Sequence, residues 1–269
     1  MSTANAGRLL FFGLAGAIIA FVVAPLAVVV VASFFEDKIL TFPPSGYTLT
    51  WYVRAWSLSE FSNGFILSLK IAVLATAASV LVGVPAALAI ERFPFPGREW
   101  VRQLLLAPFY VPAIVAGAAI YLFFIQVEVS TELRLAGSLA GLAIAHTVVS
   151  LPWVMRLVCV SLVMSDRAGE EAARSLGATP LQVFFMVTVP AIRPGIVAGG
   201  LFAFIISFGE FEKSLFLIGP GQQTLPTAIV SYLQWSLDPT IAAVSTVQIA
   251  IIAIAMALSN RYVQLGKAL

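Results

Sequence analysis

Six continuous apolar runs, each long enough to cross a bilayer, constrain this 269-residue chain more than any other feature. They cover residues 9–33, 61–90, 100–125, 136–164, 194–217 and 241–260. A membrane-spanning helix needs about 20 such residues. A transmembrane barrel would instead show alternating stretches of about 10. Charged residues make up only 10% of the chain, where a soluble domain carries roughly 25%. The expected fold is all-α: a polytopic membrane protein with six transmembrane helices in one domain over residues 1–269. The first run is too long for the apolar core of a signal peptide, about 7 to 15 residues, and is expected to be an uncleaved span.

The net charge of +2 and the scattered basic residues argue against a nucleic-acid partner. The single cysteine, Cys159, excludes an intrachain disulfide framework. Basic residues set the orientation. The N-terminus, the 91–102 turn, the 156–193 stretch and the tail carry ten, while the opposite connectors carry three, Lys38, Arg54 and Arg134. Both termini and the 165–193 stretch are therefore expected in the cytoplasm. The 34–60 connector should sit outside, with Tyr47, Trp51, Tyr52 and Trp56 at the headgroup level, and so should a Gly/Pro/Gln-rich loop at 218–240.

The cytoplasmic stretch has its own internal order. Glu170 and Glu171 open a run of good helix formers, where the macrodipole favours acidic residues. Gly177 is placed to end that helix. Thr179-Pro180 then suits a new N-cap with proline at the first helical position, and this second segment is expected to end at Pro190. The result is a helix–turn–helix elbow between two spans.

These residues resemble the signature of the membrane subunits of bacterial ABC importers: Glu171-Ala172-Ala173, then Gly177, then Val187, Val189 and Pro190. Valines stand where the family has Ile and Leu, which keeps the apolar face. More widely, the chain resembles the smaller permease of spermidine/putrescine-type importers. That wider resemblance rests on Ala145-His146-Thr147 with Leu151-Pro152, on Ser207-Phe208-Gly209-Glu210, and on Leu225-Pro226, Ser231-Tyr232 and Asp238-Pro239. It implies the type I importer permease fold in the bacterial inner membrane, with the elbow docked in a cleft of a separate ATPase. Glu171, Ala172, Ala173, Gly177 and Pro190 would be the coupling residues. It also implies an ATPase dimer, a second homologous permease and an extracytoplasmic solute-binding protein as partners. The chain has no G-x-x-x-x-G-K-[ST] loop of its own. It is expected to bind no cofactor or metal and to be no enzyme, with ATP and Mg carried by the partner.

A charge mid-span costs at least about 2.5–3.5 kcal/mol, so each needs a reason. Glu210 and Lys213 are three apart and can pair on one helix face, which leaves Glu212 unaccounted for. Glu210, Glu212, His146, Tyr121 and Trp153 are candidate residues of a substrate path. For His146 a bridging role between helices competes with substrate contact, and for the acidic pair a paired or wet position near the outer surface competes. A cationic amine leads the substrate classes, ahead of opines and aminophosphonates. A self-sufficient secondary transporter or channel is the alternative function, but it leaves the elbow's spacing without a purpose. An intramembrane enzyme lacks the usual motifs.

Overall fold

The structure is a computed structural model that describes residues 3–39 and 41–265. Among these, six helices are long and apolar enough to cross a membrane. Contacts gather into two compact units, Met1–Ser62 with Ile229–Ala250, and Asn63–Ala228 with Ile251–Leu269.

In the first unit, α1 (Thr3–Ala32) is apolar on all sides, and none of its spanning window is covered by the rest of the chain. The connector after it is more ordered than a headgroup loop. The Glu36 N–H donates to the Gly46 carbonyl and the Thr48 N–H to the Phe34 carbonyl. The Asp37 carboxylate accepts from the side chain and N–H of Ser45 and from Thr41, and the Ser45 bonds hold its pKa below the ordinary value. A short helix, α2 (Thr50–Ser57), follows. Trp51, one of the aromatics expected at the headgroup level, is buried within the unit, and its Nε1 donates to the Phe35 carbonyl at 2.7 Å. Its one donor is thereby satisfied inside the fold. Trp56 and Tyr47 stay exposed.

The 218–240 loop also contains a helix, α11 (Leu225–Leu233), and its Tyr232 Oη donates to Asp238 at 3.0 Å. Asp238 accepts as well from the N–H of Thr240, which begins α12 (Thr240–Leu265), and pairs with Arg54 at 3.4 Å.

The second unit holds the packed core. Helix α3 (Ser59–Arg92) ends at the charged turn, and α4 (Arg98–Leu106) starts after Gly97 at φ +81°. The third span does not start at residue 100 as expected. Pro108 and Pro112 cannot donate backbone hydrogen bonds. The chain therefore passes through a 3₁₀ turn at Ala107–Phe109 and begins its span as α5 (Ala113–Thr131). Helix α6 (Leu139–Met164) is N-capped by Ser138, whose Oγ accepts from the Gly141 N–H at 3.0 Å.

After α7 (Ala168–Ser175) and α8 (Pro180–Val183), a π-helical turn at Phe184–Thr188 leads into α9 (Val189–Phe208). Pro190 does not end the second arm. The π turn bonds the Val189 N–H to the Phe184 carbonyl and widens the helix just before the proline, where the missing N–H would otherwise break an ordinary ladder. Residues 180–208 form one continuous rod.

Span five in turn stops at Phe208, short of the expected residue 217. Gly209 and two further residues break the helix, and α10 (Glu212–Leu217) follows as a separate piece.

Helices α6 and α9 pack closely, because α9 presents Gly195 and Gly199 four residues apart. A Cβ on Gly199 would lie 2.9 Å from the Val154 Cα, and one on Gly195 would lie 2.8 Å from the Leu157 carbonyl oxygen. Small residues let helix backbones approach this closely where lipid offers no hydrophobic drive to association. Around the contact pack Val84, Ala87, Val158, Leu162 and Ile192, all fully or nearly fully buried. Gly199→Leu should separate the two helices at a cost of at least about 1–3 kcal/mol. The check is the thermal midpoint in detergent, with Gly13→Leu, whose Cβ meets nothing, as the tolerant control.

Candidate functional site

The elbow forms from local chemistry. Helix α7 closes on Gly177 at φ +87°, a conformation that suits glycine. The N–H groups of Gly177 and Ala178 return to the carbonyls of Arg174 and Ala173, both at 3.0 Å, which satisfies the helix end. Thr179 and Gln182 then make a reciprocal capping box that starts α8. The turn expected at Gly177 and Thr179-Pro180 is present, and the structure adds Gln182 as the reciprocal capping partner.

Its anchor was not read from sequence. Glu170, buried in α7, accepts from Arg92 at the end of α3 at 3.2 Å, and both side chains are less than a tenth exposed. Arg92 also donates to Ser165 at 2.8 Å, Arg174 approaches Glu170 at 3.7 Å, and Arg167 donates to the Glu91 carbonyl at 2.8 Å. The elbow is thus bolted at its base to the preceding spans. No local signal could reveal a pairing 78 residues apart.

The tip is the opposite. Glu171, Ala172 and Gly177 are exposed, Ala173 is half-buried, and Pro190 lies exposed on the rod beyond. Leu176 is 89% exposed, and Leu181, Phe185 and Met186 are uncovered as well.

A second cluster surrounds the break after α9. Glu210 accepts from Lys213 twice through Nζ, at 3.2 Å to each oxygen, and once through the backbone N–H at 3.1 Å. Both residues are buried. The pairing expected from their spacing is present, but it lies beyond the spanning part of α9 and starts a new helix. His146 on α6 bridges that break: Nδ1 meets Ser207 at 2.9 Å, Nε2 meets Ser214 at 3.1 Å, and Ser214 donates to the Glu210 carbonyl. With both ring nitrogens occupied and 1% exposure, His146 joins α9 to α10.

Glu212, half-buried, makes no ion pair among the described residues. Trp153 stacks on Phe202 at 5.5 Å and meets Phe109 edge-on. Tyr121 is exposed on α5. His146 and Glu210 are thus brought together through Ser214, while Trp153 belongs to a separate aromatic stack.

A membrane domain of this layout, with a tethered helical elbow between two spans, is that of an importer permease. Residues 79–265 match the family described as binding-protein-dependent transport system inner membrane component. The chain belongs to that family and is a multi-pass inner-membrane permease component of a binding-protein-dependent ABC importer. It is 32% identical over 227 residues to the putrescine transport system permease protein PotI of Escherichia coli (strain K12), covering 84% of this chain and 80% of that one. It is 33% identical to the molybdenum transport system permease protein ModB of Mycobacterium bovis, covering 74% and 80%. Its fold matches a subunit of a bacterial ABC transporter involved in import of the acidic polysaccharide alginate, with TM-score 0.75, 15% identity and coverage of 97% and 98%.

Proposed function

We propose that this chain supplies half of a translocation pathway, paired with a second homologous permease, and that its elbow docks on the cytoplasmic side into a separate ATPase. ATP and Mg belong to that ATPase dimer, whose closure drives the elbows together and swings the spans from inward-open to outward-open. The observation that carries this reading is the contrast within the elbow, a base fixed by buried ion pairs and a tip of uncovered apolar side chains. A rigid arm of that kind can transmit force and still needs a partner surface. The uncovered α1 has room for lipid and for the second permease.

The substrate proposed is a small cationic amine delivered by an extracytoplasmic binding protein. Supporting it are the similarity to a putrescine permease and the carboxylate of Glu212, which Lys213 leaves unpaired by engaging Glu210. The molybdenum relative shows that such permeases are found with other cargo. Glu212→Gln is expected to lower amine uptake severalfold with expression unchanged. Uptake equal to the parent would remove Glu212 from the path.

Gly177→Trp tests the elbow. A Cβ there meets nothing within 4 Å, so bulk is tolerated within the chain, and the positive φ costs roughly 1–2 kcal/mol. The expected result is a folded protein whose transport-linked ATP hydrolysis falls to background. Full uptake by this variant would favour a self-sufficient transporter.

A further inference from the structure

The cavity at the elbow end of α3, α4 and α6 is separate from the cluster around His146 and shares with the elbow's anchor only Glu91, whose carbonyl receives Arg167. Its volume is about 310 Å³, at the low end of the roughly 300–1,000 Å³ typical of small-ligand sites. Leu106, Met155 and Val160 give it apolar walls, and Glu91, Arg102 and Arg156 give it a polar end.

The charges do not balance. Arg102 is already matched by Glu91 at 3.1 Å and Glu99 at 3.4 Å, whereas Arg156 makes no ion pair among the described residues. Glu91 Oε1 and Arg102 Nε are engaged in those ion pairs, so the cationic capacity left at the polar end is that of Arg156. Arg156 is exposed, so its guanidinium is open to an anion from outside the chain.

The surroundings specify what would match it. Trp100, on the same helix α4 as the lining residues Arg102 and Leu106, is 82% exposed, as an indole at the headgroup level would be. Val163 and Met164, at the cavity's edge, are 70% and 80% exposed and continue the apolar wall outward. The occupant therefore needs one negative charge, planar-accessible oxygens for a guanidinium, and an apolar body extending beyond the cavity. A free phosphate has no such body, and a zwitterionic headgroup would bring its own cation against Arg156. Basic pockets between spans near the membrane surface bind anionic headgroups in this way.

We propose that this cavity seats the headgroup of a monoanionic phospholipid, with Arg156 holding the phosphodiester and its chains running along Val163 and Met164.

The test is native mass spectrometry of the protein, purified with its accompanying subunits in neutral detergent. It is titrated with phosphatidylglycerol, with phosphatidylcholine and with inorganic phosphate. One phosphatidylglycerol should bind at least about tenfold more tightly than phosphatidylcholine and resist millimolar phosphate. Arg156→Gln should weaken it by about tenfold or more, the loss of one charge-assisted contact. Arg98→Gln, at the start of α4 and outside the cavity lining, should not. Should Arg156→Gln fail to fold, the native protein provides the readout. Cys159 lines the cavity and is the chain's one cysteine, so phosphatidylglycerol should slow its alkylation where phosphatidylcholine does not. Equal binding of the two lipids, displacement by phosphate, equal weakening by Arg98→Gln, or unprotected Cys159 would each overturn the proposal.

Discussion

Arg92→Met is expected to destabilise the protein by about 3–5 kcal/mol, the usual cost of leaving one partner of a buried ion pair without the other. Glu170 is 5% exposed. With Arg92 gone its remaining cation is Arg174, 3.7 Å away on a side chain that is 58% exposed. The loss should be local before it is global. Ser165 also gives up its bond to Arg92, so backbone amides over 165–178 should exchange with solvent much faster than those of α6 and α9. The double variant Arg92→Met/Glu170→Gln should recover most of the stability, because no buried charge is left unmatched. Thermal unfolding in detergent and hydrogen exchange read both effects. A single variant as stable as the parent would show that the base of the elbow is not held by this pair.

Lys213→Met should do comparable damage at the other cluster. Glu210 would then be a buried carboxylate whose near neighbour is the acidic Glu212, at a cost of about 3–5 kcal/mol. The same substitution disturbs the start of α10, since Glu210 receives both the ammonium and the N–H of residue 213. Lys213→Met/Glu210→Gln should be markedly milder, because the Gln carbonyl can still accept the backbone N–H. If the double variant proves as unstable as the single one, the pair's charge balance is not what holds the break together.

The two clusters differ in how far they could be read in advance. The elbow's turn rests on residues within a few positions of one another: Gly177 at a helix end, then Thr179, Pro180 and Gln182 at a helix start. Local backbone chemistry decides such features, so the sequence exposes them. Its anchor rests on Arg92 meeting Glu170, which only the packing of α3 against α7 brings about.

The spans show the same division. Their number follows from length and apolarity, but three boundaries do not. Pro108 and Pro112 displace the third span toward Thr131, because a helix cannot run through two missing donors. Pro190 fails to stop the second arm because the π turn accommodates it. Span five ends at Phe208 although the apolar run continues, because Gly209 and the two residues after it interrupt the helix before Glu212. The role of His146 is likewise tertiary, as its two serine partners lie 61 and 68 residues away.

The claim on which the rest depends is that the elbow couples this permease to a separate ATPase. The direct measurement is to purify the tagged chain from its native host in mild detergent and identify what comes with it. The expected result is an ATPase and a second permease in stable association, with ATP hydrolysis stimulated by the loaded binding protein. A chain that comes alone and still moves solute in liposomes without ATP would contradict the account.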